Sequence, residues 1–235
     1  VTTVHKEGFD QYGHRWLEGR KFWPKGTEFW FYTEGFDLPA DGMVVRDLMA
    51  IEEFATWKRK YGFYTPPGWQ WDVVKYAHKV FAAIDALMDY DGIGVWLDAD
   101  CVTFAQIPEG LIEAQVKDDY IAHYGRTGMY TETGMWIVNC AHEQHKNFCA
   151  TWKDIYHAEQ FKNLPQWHDC MTLDATIRAF TRDKLITTHN LSGEHHKAMH
   201  PQAKTEFGQY IDHCKGPRKM VGASPENTNR QKVAA

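Results

Sequence analysis

The chain has 235 residues, 43% hydrophobic and 24% charged, which is the profile of a globular protein with enough length for one substantial core, so a single domain is expected. A formal net charge of −5 supplies no overall field toward nucleic acid or acidic lipid. No apolar stretch reaches the length of a membrane span and no apolar leader opens the chain; five scattered cysteines without a Cys-x-x-Cys pair argue against a disulfide framework or zinc ribbon and for reduced thiols in a cytoplasmic protein. Aromatics reach 14%, with ten Trp, which serves either as core filler or as rings on which sugars stack.

Val1 to Val4 reads as a short β-branched strand, Gln11 to Arg20 as a helix, and Thr27 to Thr33 as a second strand closed by Glu34-Gly35. From Trp71 to Met88, apolar residues recur at three and four, predicting a helix that Asp72 caps and Asp91-Gly92 follows. The next run, Ile93-Gly94-Val95-Trp96-Leu97, lacks polar alternation and predicts a strand covered on both faces. Gly134 to Val138 predicts another buried strand, Glu143–His157 and Met171–Phe180 predict helices, and Leu185 to Thr188 a late strand. Residues 221–235, poor in large apolar side chains, read as a flexible tail beyond a domain of residues 1–220. Helix followed by buried strand is the grammar of an α/β domain with a mostly parallel sheet.

In open α/β sheets ligands bind beyond the carboxyl ends of the strands, and Asp98-Ala99-Asp100 stands there. Residues two apart in an extended segment point the same way, so both carboxylates can face one hard cation, Mn²⁺ or Mg²⁺, whose remaining ligands are phosphate oxygens. The alternative is a polar loop with one Asp capping a turn. His213 opens a loop with Lys215, Gly216, Arg218 and Lys219, which offers an imidazole for the same metal and cations for a diphosphate, or else is a basic surface loop. Glu194, His195, His196 and His200 lack the spacing of a second metal site and read as a polar loop over a cleft.

The strand-terminal Asp98-Ala99-Asp100 with the later His213-Cys214-Lys215-Gly216-Pro217-Arg218-Lys219 resembles the metal and diphosphate motifs of GT-A fold glycosyltransferases, especially the family 8-like group in its short phage and bacterial form. Weaker likenesses lie in Val1–Gly13, in Lys75–Lys79, in Thr131–Asn139 and in Trp167-His168-Asp169, so the resemblance covers most of residues 1 to 219. It implies a single-domain GT-A α/β fold, a metal site of Asp98, Asp100 and His213, and a nucleotide-sugar donor, UDP-sugar first, held by Thr2, Thr3, Gly8, Tyr12, Lys79, Asp98, Ala99, Gly216 and Lys219. Asp169 stands as the carboxylate near the anomeric carbon or as the cap of the helix after it, and Glu132 is the alternative base. Lys79 is a donor-facing cation or a solvated helix charge. Glu132-Thr133 stands where the family has Asn-Ala, and His168-Asp169-Cys170 departs from Asp-Gln-Asp, which leaves the sugar and the stereochemical outcome open. The acceptor is a glycan, a lipid-linked sugar, a protein or a modified phage DNA base; the net charge gives no support to the last. Two other readings stand beside this one: a haloacid-dehalogenase-like phosphatase with Asp98 as nucleophile, and a non-catalytic nucleotide- or carbohydrate-binding module.

Overall fold

The structure, a computed structural model, describes residues 1–233. Strand β1 (Thr2–His5) pairs in parallel with β2 (Trp30–Glu34), and β2 with β3 (Val44–Asp47). Strand β4 (Ile93–Leu97) lies beside β1: the Val1 nitrogen donates to Val95 O at 2.8 Å and Leu97 N to Val1 O at 3.0 Å. Beyond β4 come β7 (Glu132–Asn139), antiparallel to it, then β6 (Ile121–Tyr124), antiparallel to β7, then β8 (Thr188–Asn190), parallel to β6. The order is therefore β3-β2-β1-β4-β7-β6-β8, a mostly parallel sheet in which β7 alone runs the other way. A separate ribbon pairs β5 (Cys101–Thr103) with β9 (Ile211–His213).

Helices cover both faces. Between β1 and β2 a helical run starts with α1 (Lys6–Gly8), widens into a π-turn at Phe9–Gly13 and ends in α2 (His14–Gly19), longer than the helix predicted there. Helix α3 (Glu52–Tyr61) and the strongly amphipathic α4 (Val73–Leu87) follow; the Asp72 side chain accepts from Lys75 N at 3.2 Å and caps α4 as expected. After the short α5 (Leu111–Ala114) come α6 (His145–His157) and α7 (Asp169–Arg182). Alternation along the strands divides the core. Trp96 and Trp136, stacked 6.2 Å apart, face α4 and α6, whereas Leu97, Met135 and Ile137 face Val4, Trp16 and Phe31 on the other side. No helix among the described residues is long and apolar enough to cross a membrane.

Three expectations need correction. The late strand lies at Thr188–Asn190 rather than 185–188, because Leu185 is outside the pairing with β6. The second strand starts at Trp30, after a loop from Thr27. The region expected as a flexible tail is packed: α8 (Arg218–Val221) and α9 (Thr228–Val233) flank buried Ser224 and Asn227. One tie is to Asp212, a buried carboxylate whose Oδ2 takes its partners from this segment. Ser224 N donates to its Oδ2 at 2.8 Å and Arg230 reaches the same oxygen at 3.2 Å. Ala234 and Ala235 lie outside the described residues.

On β6, His123 is buried with Nδ1 3.0 Å from Thr131 Oγ1, whose hydroxyl donates to Asp174. Burial, opposed by Asp174 and aided by His189, lowers its pKa from 6.5 to about 4. The folded state thus resists a proton that the unfolded chain accepts, so stability is full above about pH 6.5 and falls as pH drops toward 4. The loss reaches at most about 3 kcal/mol for this imidazole. Urea midpoints measured across that window should decline, and His123→Gln should flatten the slope.

Candidate functional site

A cleft of about 1630 Å³ runs along the carboxyl ends of β1, β4 and the start of β7, lined by Thr3, Tyr12, Lys79, Asp98, Ala99 and Asp100, among others. At its centre the β5–β9 ribbon sets Cys101 opposite His213, and Cys214 N donates to Asp100 O at 3.0 Å. His213 Nε2 consequently lies 3.2 Å from Asp100 Oδ1 and 3.8 Å from Asp98 Oδ2. The other oxygen of each carboxylate is taken by a lysine: Lys79 Nζ is 2.7 Å from Asp98 Oδ1, and Lys219 Nζ is 3.0 Å from Asp100 Oδ2. Trp96 Nε1 also donates to Asp98 Oδ1, at 2.7 Å. The two carboxylates are thus oriented from outside, with one oxygen each turned toward a single imidazole nitrogen.

These donors fit a divalent cation. Asp100 Oδ1 and His213 Nε2 are buried and make no hydrogen bond of acceptable geometry despite their proximity. Buried polar atoms left this way are expensive unless something binds them, and carboxylate oxygens with one neutral imidazole suit Mn²⁺ or Mg²⁺. Burial raises the Asp100 pKa, but His213 and Lys219 outweigh it and hold the carboxyl well below the usual range, as a ligand requires. Cys101 lies near the same atoms, yet burial keeps its thiol protonated and it donates to Gly134 O.

The remaining predicted residues fall into three groups. Thr3, Tyr12, Ala99, Gly216 and Lys219 line the cleft with the Asp pair. Lys219 Nζ lies 4.6 Å above the Tyr12 ring, and Gly216 turns the chain into α8 with φ +58. Gly8 is one step removed: a Cβ there would stand 2.6 Å from Tyr12 Oη, so its role is to admit that ring. Thr2 is fully buried within the sheet, its hydroxyl without a partner, and is not on the cleft wall.

Lys79 is no solvated helix charge. It is buried between Asp98 and Asp169, 2.5 Å from Asp169 Oδ2, and donates to Thr133 O at 3.0 Å. Burial lowers its pKa, but the two carboxylates more than compensate and keep it charged. Asp169 is the first residue of α7 and not its cap; His168 caps, its Nδ1 accepting from Met171 N at 3.2 Å. Both contacts to Asp169 from Lys79 and Thr133 fall on Oδ2. Glu132, expected as an alternative base, lies beneath the cleft rather than on its wall. Lys215 Nζ holds both of its oxygens at 2.5 Å and Arg126 stands 3.4 Å away. Despite burial, Lys215, His213 and Arg126 bring its pKa down to about 2, so it is a permanent counter-ion for the C-terminal loop. His195 and His196 turn to Glu194 and Thr127, and among the described residues they form no metal-ligand group.

The structure adds residues around those named from sequence. At one end of the cleft His5, Glu34, Lys58 and His78 converge; at the other His168 is ringed by Trp69, Tyr76 and Tyr130. The first group sits on β1, β2, α3 and α4, and no local spacing signals it; the richness in Trp was the one sign of the second.

No protein-family model matches the chain, and no curated protein matches it in sequence. Among solved structures it is similar to mouse xyloside xylosyltransferase 1 in its apo form, at 11% identity over 81% of this chain and 83% of that one, with a TM-score of 0.51. It is also similar to the galactosyltransferase LgtC in complex with donor and acceptor sugar analogs, at 13% identity over 100% of this chain and 94% of that one, with a TM-score of 0.56. The chain has the GT-A fold of these glycosyltransferases. In this fold β4 follows three parallel strands, and Asp98 at its end is tied to Lys79 and Trp96.

Two substitutions probe how the site is held. A Cβ on Gly134 would stand 2.0 Å from the His213 ring, so Gly134→Ala should force the imidazole away from Asp100 and cost about 1–3 kcal/mol. Calorimetric Mn²⁺ titration and thermal melts would read both effects. Glu132→Leu removes the buried carboxylate that the partly exposed Lys215 and Arg126 share, and should lower unfolding free energy by about 1–3 kcal/mol in urea titration.

Proposed function

We propose that the chain is a metal-dependent glycosyltransferase that moves a hexosyl or pentosyl group from a nucleotide-diphosphate sugar, a UDP-sugar, to an acceptor hydroxyl. The observation that carries this reading is the convergence of Asp98, Asp100 and His213 with Lys219 in the cleft of a GT-A fold. Asp98, Asp100 and His213 would hold Mn²⁺ or Mg²⁺, which when bound neutralises diphosphate charge and eases departure of the nucleoside diphosphate.

The chain's own groups do the rest. Lys219, at the cleft edge above Tyr12, meets a diphosphate oxygen as it gains charge, in a site where a fixed cation costs no reorganisation. The Tyr12 ring and Thr3 border the space for the nucleoside. Lys79 fixes Asp98 relative to Asp169, and Asp169, with Oδ1 turned from the Lys79 contact, accepts a hydroxyl of the transferred sugar. A bond forms between the acceptor oxygen and the anomeric carbon as the carbon–diphosphate bond breaks. The electron pair leaves with the nucleoside diphosphate, and the acceptor's proton passes to the departing diphosphate.

Nucleotide release from a panel of nucleotide sugars, with Mn²⁺ and without acceptor, tests this. Slow turnover of a UDP-sugar, abolished by chelation, is expected. Asp100→Asn should reduce it by more than about 100-fold, beyond what outer partners of a metal are worth. Lys219→Ala should weaken Mn²⁺–UDP binding about 10- to 100-fold, the value of a charge-assisted contact. Absence of any nucleoside-diphosphate binding with Mn²⁺ would refute the reading, and turnover of phosphomonoesters in its place would return the phosphatase.

A further inference from the structure

The cleft is larger than the donor requires. A site for one small ligand occupies roughly 300–1,000 Å³, and this one is about 1630 Å³. The excess lies at the end away from His5 and Glu34, where the wall changes character. Trp69 lines it with 61% of its surface exposed, and Tyr64 with 38%. Across from them stand Met129 and Tyr130; Gln166 and His168 form the floor beside Asp169.

This end is pinned by backbone hydrogen bonds, and its charged groups are mostly paired. The Trp69–Trp71 turn follows Pro66-Pro67, closes with Trp71 N donating to Gly68 O at 3.1 Å, and is tied to the next loop by Trp167 N donating to Gln70 O at 2.8 Å. The rings of Trp69 and Tyr130 each lie 5.4 Å from that of His168, whose Nε2 meets Gln166 Oε1 at 2.7 Å. Its cations are committed elsewhere: Arg178 to Asp174, Arg126 to Glu132 and Lys79 to Asp169. Lys75, 5.6 Å above the Tyr76 ring, has no carboxylate partner among the described residues. One cation is too few for a polyanion, which is bound by neutralising a row of phosphates.

We infer that this half of the cleft is the acceptor subsite and that its ligand is a neutral saccharide, one pyranose ring lying on the Trp69 indole with its hydroxyls toward Gln166 and Asp169, and His168 holding Gln166 in place. The inference rests on the glycosyltransferase reading and names its acceptor class. An exposed, pinned indole offers a flat apolar face at low entropic cost, and the polar floor supplies the few directed groups that orient a hydroxyl-bearing ring. Asp169 belongs to both halves, which places the bound acceptor next to the transferred sugar.

The whole chain, with Mn²⁺ and UDP present, would be applied to an array of neutral and anionic glycans, and the best neutral glycan taken to calorimetry. A single-stranded DNA oligonucleotide serves as competitor. Retention of neutral glycans is expected, with Trp69→Ala weakening the interaction at least about tenfold and Trp69→Phe restoring most of it. Mn²⁺–UDP titration of the same variants reports whether the donor half is intact. If UDP binds but no neutral glycan is retained, or Trp69→Ala leaves glycan affinity unchanged, or the oligonucleotide displaces the glycan, the acceptor assignment is wrong while the donor reading stands. If UDP does not bind, both fall together.

Discussion

The site depends on one piece of backbone pairing. Strand β5 leaves the Asp98–Asp100 turn and joins β9 in antiparallel register, with Cys101 opposite His213. Without that pairing the carboxylates would close a strand with nothing opposite them, and the imidazole would belong to a C-terminal loop. With it, His213 Nε2 is brought to 3.2 Å from Asp100 Oδ1 and 3.8 Å from Asp98 Oδ2 by sheet hydrogen bonds. The C-terminal segment is tied to the same ribbon. Asp212, between Ile211 and His213, points away from the cleft, and Ser224 and Arg230 are drawn in to satisfy it.

Buried charge governs the next layer. Lys79, Lys215 and Lys219 each lie against a carboxylate, and removing a charge from water is repaid only when such contacts are close and several. Here they are: Lys79 reaches two carboxylates and a backbone carbonyl, and Lys215 both oxygens of Glu132. What these pairs contribute is orientation more than stability. Lys79 and Lys219 each fix one oxygen of an Asp and leave the other turned toward His213, so the two carboxylates are oriented before any ligand arrives.

Much of this was legible in the sequence. The apolar run ending in Asp98-Ala99-Asp100 marked the strand and the end at which the cleft opens, and the three-four spacing of Val73, Ala77, Val80 and Ile84 marked α4 with its Asp72 cap. Those features are local, and local physics decides them. Long-range satisfaction of buried groups does not appear in a window of residues. Lys79 reads as a surface charge until α7 and β7 place Asp169 and Thr133 around it. Glu132 reads as a loop carboxylate until Lys215, 83 residues later, covers it. The tail failed for the same reason: its composition is that of a disordered segment, and one tie that holds it is to a carboxylate on β9. The short strands β3, β6 and β9 carry too few residues for alternation to register.

Lys79 also explains why two chemically different half-sites share one cleft. Toward β4 it holds Asp98, in the cationic half that suits a diphosphate; toward α7 it holds Asp169, at the edge of the aromatic half. A single buried ammonium is shared by the two carboxylates and fixes one oxygen of each. Its stem is anchored in α4 and its charge faces the Trp96 indole 5.6 Å away, so it cannot follow either partner far. The spacing between the cationic and the aromatic half of the cleft is therefore set by the sheet and by α4.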